Sequence, residues 1–303
     1  MRILVTDGMD KGAVATLKEQ GHEVVEQFFP PEELAEQVKN FDVMVVRSAT
    51  KVRVPIIDAA LETGRLKLII RGGVGIDNID HKYAEEKGIA VRNTPRSSSD
   101  AVAELAIAHM LSCARFIGIA GHTMREGKWE KKAYKGIELS GKTLGIVGFG
   151  RIGQSLCKKA QALGMTVIAN DIYHVPGIEE KLNMKYVEMD ELLANADFIS
   201  VHAPAVDGGA LISRENIAKM KDGVVVINTS RGVNVDEAAL LDGLNSGKIR
   251  AAGLDVWAEE PSKNEALYSH PHVSCTPHIG ASTVEAQKRI GKEIVATIEK
   301  FFA

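Results

Sequence analysis

An α/β protein with two doubly wound parallel-sheet domains is predicted from three observations. Short apolar runs alternate with amphipathic stretches of helical period over roughly the first ninety residues, and again after TLGIVGFG. Those runs are continuous in Val, Ile and Leu, as expected of strands buried on both faces. The chain's 303 residues also fit two cores better than one.

In order, ILVT, GAVATLKEQG, HEVVE, EELAEQV, DVMVVRS, VPIIDAALETG and LKLIIRGG read as strand and helix in rotation. SSSDAVAELAIAHMLSCARFIGIAG reads as one long alanine-rich helix from about Ser99 to Ile119, with serines and Asp100 as candidate caps. A polar basic segment, HTMREGKWEKKAYKGIELSGK, leads into the second round. That round runs TLGIVGFG, RIGQSLCKKAQALG, TVIAND, DELLANA, DFISVHAP, SRENIAKM, GVVVINTS, DEAALLDGLNSG, AAGLDV and HVSCTPH. The terminal STVEAQKRIGKEIVATIEKFFA reads as a helix.

Composition is that of an ordinary globular protein, 45% hydrophobic and 25% charged. A net charge of −3 gives no global attraction to nucleic acid or to an anionic membrane, so any anion site is local. Cys113, Cys157 and Cys275 form no CxxC pair, which suits reduced thiols and a cytoplasmic location. Cys275 and His278 have ligand-like spacing without a second pair, so no metal site is expected. MRILVTDGMD has no apolar run of signal-peptide length, and no stretch is apolar and long enough to span a bilayer.

Gly148, Gly150 and Gly153 form a GxGxxG turn between an apolar strand and a helix. The glycines permit a tight turn, close approach of a pyrophosphate, and helix–strand packing, while the helix N-terminus favours the negative charge. Asp171 closes the next strand, where its carboxylate can bond both ribose hydroxyls and would repel a 2′-phosphate. NAD, rather than NADP, is the expected cofactor of this Rossmann unit.

Three further residues stand at or near predicted strand ends. His278 follows HVSCT at the edge where parallel sheets bind ligands, placed to take a hydroxyl proton as hydride leaves the same carbon. Glu260, bonded to the far imidazole nitrogen, would hold the ring and favour its protonated form. Arg231 offers a planar fork for a carboxylate. Singly each has a bland reading as a surface histidine, a solvated turn or a strand cap; together, beside a dinucleotide fingerprint, they indicate a dehydrogenase.

With GFGRIG, NTSRGVNVDEAAL, GLDVWAEEP and PHIGAST in this order, the chain resembles the D-isomer-specific 2-hydroxyacid dehydrogenase family over essentially its whole length. The resemblance implies that Arg231 binds the substrate carboxylate and carbonyl, that His278 is the acid–base and that Glu260 tunes it. It implies cofactor contacts at Arg151, Ile152, Asp171, Ala203, Thr229 and Asp255, with Val74, His278 and Gly280 nearby. It also implies a Rossmann NAD domain, residues 98–281, inserted into a flavodoxin-like substrate domain of residues 1–97 plus 282–303, with a cleft between the two. Homodimers would pair through the inserted domain.

Within the family, RSATKVR, RGGVGIDNIDHKYAEEKGI and GKWEKKAYKGIELSGKTLGI are most similar to the D-3-phosphoglycerate dehydrogenase branch, in a short form without a C-terminal regulatory domain. A substrate with carboxylate and phosphate needs cations beyond Arg231. Arg47, Lys51 and Lys131 are the candidates, with Arg53 and Lys132 more simply read as solvated. RGGVG, through Gly73 and Val74, offers backbone N–H groups to the carboxylate. Arg96 replaces an Asn common among relatives; it either strengthens anion binding or shifts substrate preference, and both stay open. The competing readings are a glyoxylate or hydroxypyruvate reductase with the same trio, and an NAD-sensing corepressor, which the lack of a peptide-binding extension disfavours.

Overall fold

Five parallel strands in the order β2-β1-β3-β4-β5 form the first of two sheets: β1 (Arg2–Val5), β2 (Glu23–Glu26), β3 (Val43–Val46), β4 (Leu68–Arg71) and β5 (Ala90–Asn93). They belong to a unit made of Met1–Ser98 and Ala281–Ala303 in a computed structural model that describes residues 1–206 and 208–303. Alternate residues of β3 go to opposite faces, as the period of two requires. Val43 and Val45 join Ile3, Val5, Leu68 and Ile70 under helices Lys11–Glu19 and Val284–Phe302. Met44 and Val46 join Leu4 and Ile69 under Pro31–Gln37, Val54–Thr63 and His81–Glu86. All four β3 residues are buried, which explains the unbroken apolar run.

The final helix is seated by sequence-local devices. Thr283 caps it, its side chain accepting from Ala286 N at 3.1 Å. Gly291 lets it press on the first helix: a Cβ there would lie 2.7 Å from Ala13 Cβ. The strand order reverses at β1, between β2 and β3, so the turns after β1 and β3 flank the switch point where such sheets take ligands.

Ser99–Gly280 form the second unit, around seven parallel strands ordered β12-β11-β10-β9-β6-β7-β8. These are β6 (Thr143–Val147), β7 (Thr166–Asn170), β8 (Lys185–Tyr186), β9 (Phe198–Val201), β10 (Val224–Asn228), β11 (Ile249–Leu254) and β12 (Val273–Cys275). Helices Ser99–Arg115 and Arg151–Ala162 cover one face, and Met189–Asn195, Arg214–Lys219 and Glu237–Ser246 the other. Pairing aligns the strand ends: Val147 with Val201, Val201 with Asn228, Asn228 with Leu254, Leu254 with Cys275. Gly148, His202, Thr229, Asp255 and Thr276, each one residue further on, therefore form a row along the carboxyl edge.

The predicted long helix from Ser99 to Ile119 is two helices. Ser99–Arg115 stops at Phe116, in the left-handed region at φ 58°, and Ile117–Arg125 leaves at 66° to it. Packing outweighs helix propensity here: the Phe116 ring contacts Tyr134 and His272, and the Arg250 guanidinium lies 5.6 Å from its centroid. Asp100 does not serve only the start of its own helix; its carboxylate accepts from Ser155 and Lys159 on Arg151–Ala162. Strands β5 and β8 have no counterpart among the apolar runs of the sequence.

Phe198 of β9 is fully buried in the second sheet. Phe198→Ala should lower unfolding stability by about 3–5 kcal/mol in urea titrations; a loss under about 1 kcal/mol would place the core elsewhere.

Candidate active site

Gly148 begins the turn after β6 at φ 91°, and a Cβ there would sit 2.6 Å from Ala203 N, so only glycine lets the turn pass the chain leaving β9. A Cβ on Gly153 would lie 2.5 Å from Gly148 O, so the helix rests directly on the turn. Gly150 differs: a Cβ there would meet no protein atom within 4 Å. No internal packing requires that glycine, whereas a pyrophosphate over the turn would. Helix Arg151–Ala162 starts at Gly150 with no side-chain cap, leaving its first-turn N–H groups, those of Arg151 and Ile152 included, for an anion. Asp171 follows β7, accepting from Phe149 N at 2.5 Å and Tyr173 N at 2.9 Å. That carboxylate thus joins the glycine turn to the strand end where a ribose would sit. These residues fit a dinucleotide.

The row along the sheet edge converges on His278. His278 is in the left-handed region at φ 55°, a conformation costing a non-glycine residue about 1 kcal/mol or more. Asp255, 1% exposed, compels it. One carboxylate oxygen accepts from Thr276 Oγ1 at 2.6 Å and Ile279 N at 2.8 Å, and the other from Gly280 N at 2.8 Å. Asp255 O also accepts from His278 N at 2.8 Å. Hydrogen bonds to a charged group contribute about 1.5–3 kcal/mol each, enough to outweigh the backbone strain.

His278 Nδ1 lies 2.8 Å from Glu260 Oε2, and Glu260 Oε1 accepts from Trp257 N at 3.3 Å. Burial works against ionisation of Glu260, but the His278 bond and charge, the Trp257 N–H and the Arg231 charge outweigh it and hold the carboxyl below its usual range. Gly232 brings the Arg231 loop to this segment, since a Cβ on it would lie 1.9 Å from Trp257 C and O. Arg231 Nη1 donates to Ser230 O at 2.7 Å. Its loop hangs on a buried amide scaffold absent from the sequence reading: Asn228 Nδ2 donates to Arg231 O at 2.8 Å, and Asn234 Nδ2 to Ala203 O at 2.9 Å. Asn228 ending the apolar run VVVI is the available signal, because a buried amide there must have partners.

Likeness to known proteins decides the family. The model described as D-isomer specific 2-hydroxyacid dehydrogenase, NAD binding domain, matches residues 107–280. A hydroxypyruvate reductase of Thermotoga maritima is 49% identical over 304 residues, covering 99% of this chain and 97% of that one. The chain belongs to the D-isomer specific 2-hydroxyacid dehydrogenases. It is thus an NAD-dependent oxidoreductase of that family, and the fingerprint at Gly148 lies in its NAD-binding domain. D-3-phosphoglycerate dehydrogenase of Methanocaldococcus jannaschii is 46% identical over 99% of this chain, which spans 57% of that relative. The solved structure of the TT0316 protein from Thermus thermophilus has a TM-score of 0.88 at 34% identity, covering 97% of this chain and 94% of that one.

In the dehydrogenase's first unit, Asp7 after β1 organises the loop after β3. It accepts from Arg47 N at 2.7 Å, Thr50 N at 3.0 Å and Thr50 Oγ1 at 2.7 Å. Asn78 donates to the carbonyls of Arg47 and Thr50, both at 2.7 Å. Arg71, at the end of β4, is a residue that sequence reasoning missed: its guanidinium folds over Gly73, where a Cβ would lie 1.4 Å from Nη1. Gly72 N donates to Val46 O and Gly73 N to Arg71 O, so the Gly73 amide expected to meet a carboxylate already has a backbone acceptor in its own unit. Arg96, Lys51, Val74 and Lys131 are exposed, and Arg53 pairs with Asp80 at 2.8 Å, in keeping with a structural role.

His202, beside Ala203, has Nε2 2.8 Å from Ser200 Oγ and Nδ1 3.5 Å from Thr229 Oγ1. Although the residue retains some accessible surface, burial of its ring pushes the imidazole down to about 4. An unfolded histidine protonates near 6.5 and the folded one only near 4, so this contribution is intact above 6.5 and is lost as pH falls through that window. The loss amounts to about 3 kcal/mol. Urea unfolding at pH 7 and pH 4.5, which spans most of that window, should show about 2 kcal/mol less acid sensitivity in His202→Gln, and an unaltered pH dependence would contradict it.

Proposed function

We propose that this dehydrogenase oxidises D-3-phosphoglycerate to 3-phosphohydroxypyruvate with NAD, the entry step of the phosphorylated route to serine. The observation that carries the acid–base part is the 2.8 Å contact of His278 Nδ1 with Glu260 at the carboxyl edge of the NAD-domain sheet. With Nδ1 committed, Nε2 is the nitrogen left to accept the proton of the C2 hydroxyl. NAD, when bound, supplies the acceptor for the C2 hydride. As the proton arrives, the carboxylate of Glu260 balances the positive charge on the imidazole. Arg231 holds the substrate carboxylate in its planar fork and places positive charge beside the C2 oxygen.

The phosphate distinguishes this substrate from its smaller relatives. Arg47 and Arg71 follow or end adjacent strands at the carboxyl edge of the first sheet, and we assign the phosphate to that cationic pair. Exposed Ile117, Met124 and Trp129, at 58%, 53% and 79%, suit pairing of two copies through the NAD domain. A second reading, reduction of hydroxypyruvate, draws support from the Thermotoga maritima relative, whose length the chain matches almost throughout.

His278→Asn should cut kcat by about 10²–10⁴-fold while NADH binding, followed by fluorescence, stays within about twofold; retained turnover removes His278 from the chemistry. Arg47→Ala should raise KM for phosphoglycerate by about 10–100-fold and for glycerate far less. Equal changes for the two substrates would favour the reductase.

A further inference from the structure

The turn bearing His278 is tied to a second, fully interior histidine that the proposed chemistry does not use. His109, 3% exposed, projects from helix Ser99–Arg115 towards the strand ends that lead into Asp255 and Thr276. Its Nδ1 lies 2.9 Å from Ser274 Oγ and its Nε2 3.1 Å from Thr276 Oγ1. Space for the ring exists because β11 carries Gly253 there: a Cβ at that position would stand 2.6 Å from His109 Cβ.

The protons along this chain can be assigned. Thr276 has one hydroxyl proton, and it goes to Asp255 Oδ1 at 2.6 Å. Toward His109, Thr276 Oγ1 can then only accept, so His109 carries its proton on Nε2. Burial disfavours the charged ring, with the Asp255 charge opposing, so Nδ1 is left to accept from Ser274. Each link has one direction: Ser274 to His109, His109 to Thr276, Thr276 to Asp255. The same Asp255 carboxylate receives Ile279 N and Gly280 N, the two amides that follow His278.

We propose that His109 is a positioning residue for the acid–base pair, locking the Thr276 hydroxyl and thereby the Asp255 carboxylate that sets the His278 turn. The proposal rests on the reading of His278 as the acid–base. Without His109, Thr276 can rotate its hydroxyl away from Asp255, whose carboxylate then keeps only the donors Ile279 N and Gly280 N. A buried polar chain of this kind fixes one geometry only while every member is satisfied.

The side-chain lengths of two amides separate positioning from mere filling of space. Glutamine brings an N–H to about where His109 Nε2 stands, whereas asparagine reaches only the Nδ1 side. His109→Gln should keep kcat within about twofold; His109→Asn should lower it on the order of tenfold, with KM and NADH affinity unchanged. Thr276→Val should behave as His109→Asn does and Thr276→Ser as the parent, which keeps the test alive if the asparagine variant does not fold. In the protein without substrate, the Ile279 and Gly280 amide resonances should move in His109→Asn and Thr276→Val but not in His109→Gln. Equal kcat in the two His109 variants, or unmoved resonances in His109→Asn and Thr276→Val, overturns the proposal. Those resonances do not depend on turnover, so the failure of His278→Asn to abolish activity would sink the acid–base reading separately.

Discussion

The conformation of the candidate site depends on a buried carboxylate, Asp255, accepting three hydrogen bonds from the segment that carries His278. A histidine in the left-handed region is unfavourable by itself, and in a solvated loop the backbone would relax. Placing the acceptor one residue beyond the end of β11 removes that option, because the sheet fixes where the carboxylate stands and the carboxylate fixes where the amides must be. The imidazole is then aimed by a backbone conformation rather than by its own flexible rotamers. Glu260 completes the restraint from the other side by engaging Nδ1.

Arg231 is delivered by a different device. Its loop is held from below by Asn228 and Asn234, both fully buried. Their amides reach the carbonyls of Ala203, Pro204 and Arg231 and the hydroxyl of Ser230. Buried amides are unfavourable unless bonded, and Asn234 Oδ1 has no partner among the described residues, so the pair specifies one loop conformation rather than adding net stability. Glycine does the remaining work at Gly232, where the chain crosses the Trp257 backbone at a distance no side chain allows. The three candidate groups thus come from three strand ends, brought together by parallel registration of β10, β11 and β12.

Much of this was legible because double burial leaves a plain mark. Strands such as β3 and β10, with every residue buried, appear as unbroken apolar runs. The strands that escape notice are at sheet edges: β5, where Arg92 is exposed, and β8, only Lys185–Tyr186. Neither carries an apolar run like those of β2 and β12, edge strands that HEVVE and HVSCT do reveal. Phe116 escapes for another reason. Nothing local forbids helix through SCARFIGIAG, and the break follows from ring contacts made with residues far along the chain. At the site, the motif residues stand out, whereas Asn228, Asn234, Asp7 and His109 do not, because their importance lies in which distant atoms they bond.

The substrate question turns on where a second anion would be neutralised. In the proposed reading Arg231 takes one carboxylate, since a planar fork holds one planar anion well. Net charge is −3, so no diffuse field substitutes for a local cation. Arg47 and Arg71 stand at the carboxyl ends of adjacent strands in the first unit. Arg47 has its backbone fixed by Asp7 and Asn78, and the Arg71 guanidinium folds over Gly73. In the proposed reading, a phosphate needs both charge and geometry, and these two arginines would supply the charge. The half-buried Arg47 and Arg71, set against the exposed Lys51 and Lys131, are what supports the proposed phosphorylated hydroxy acid.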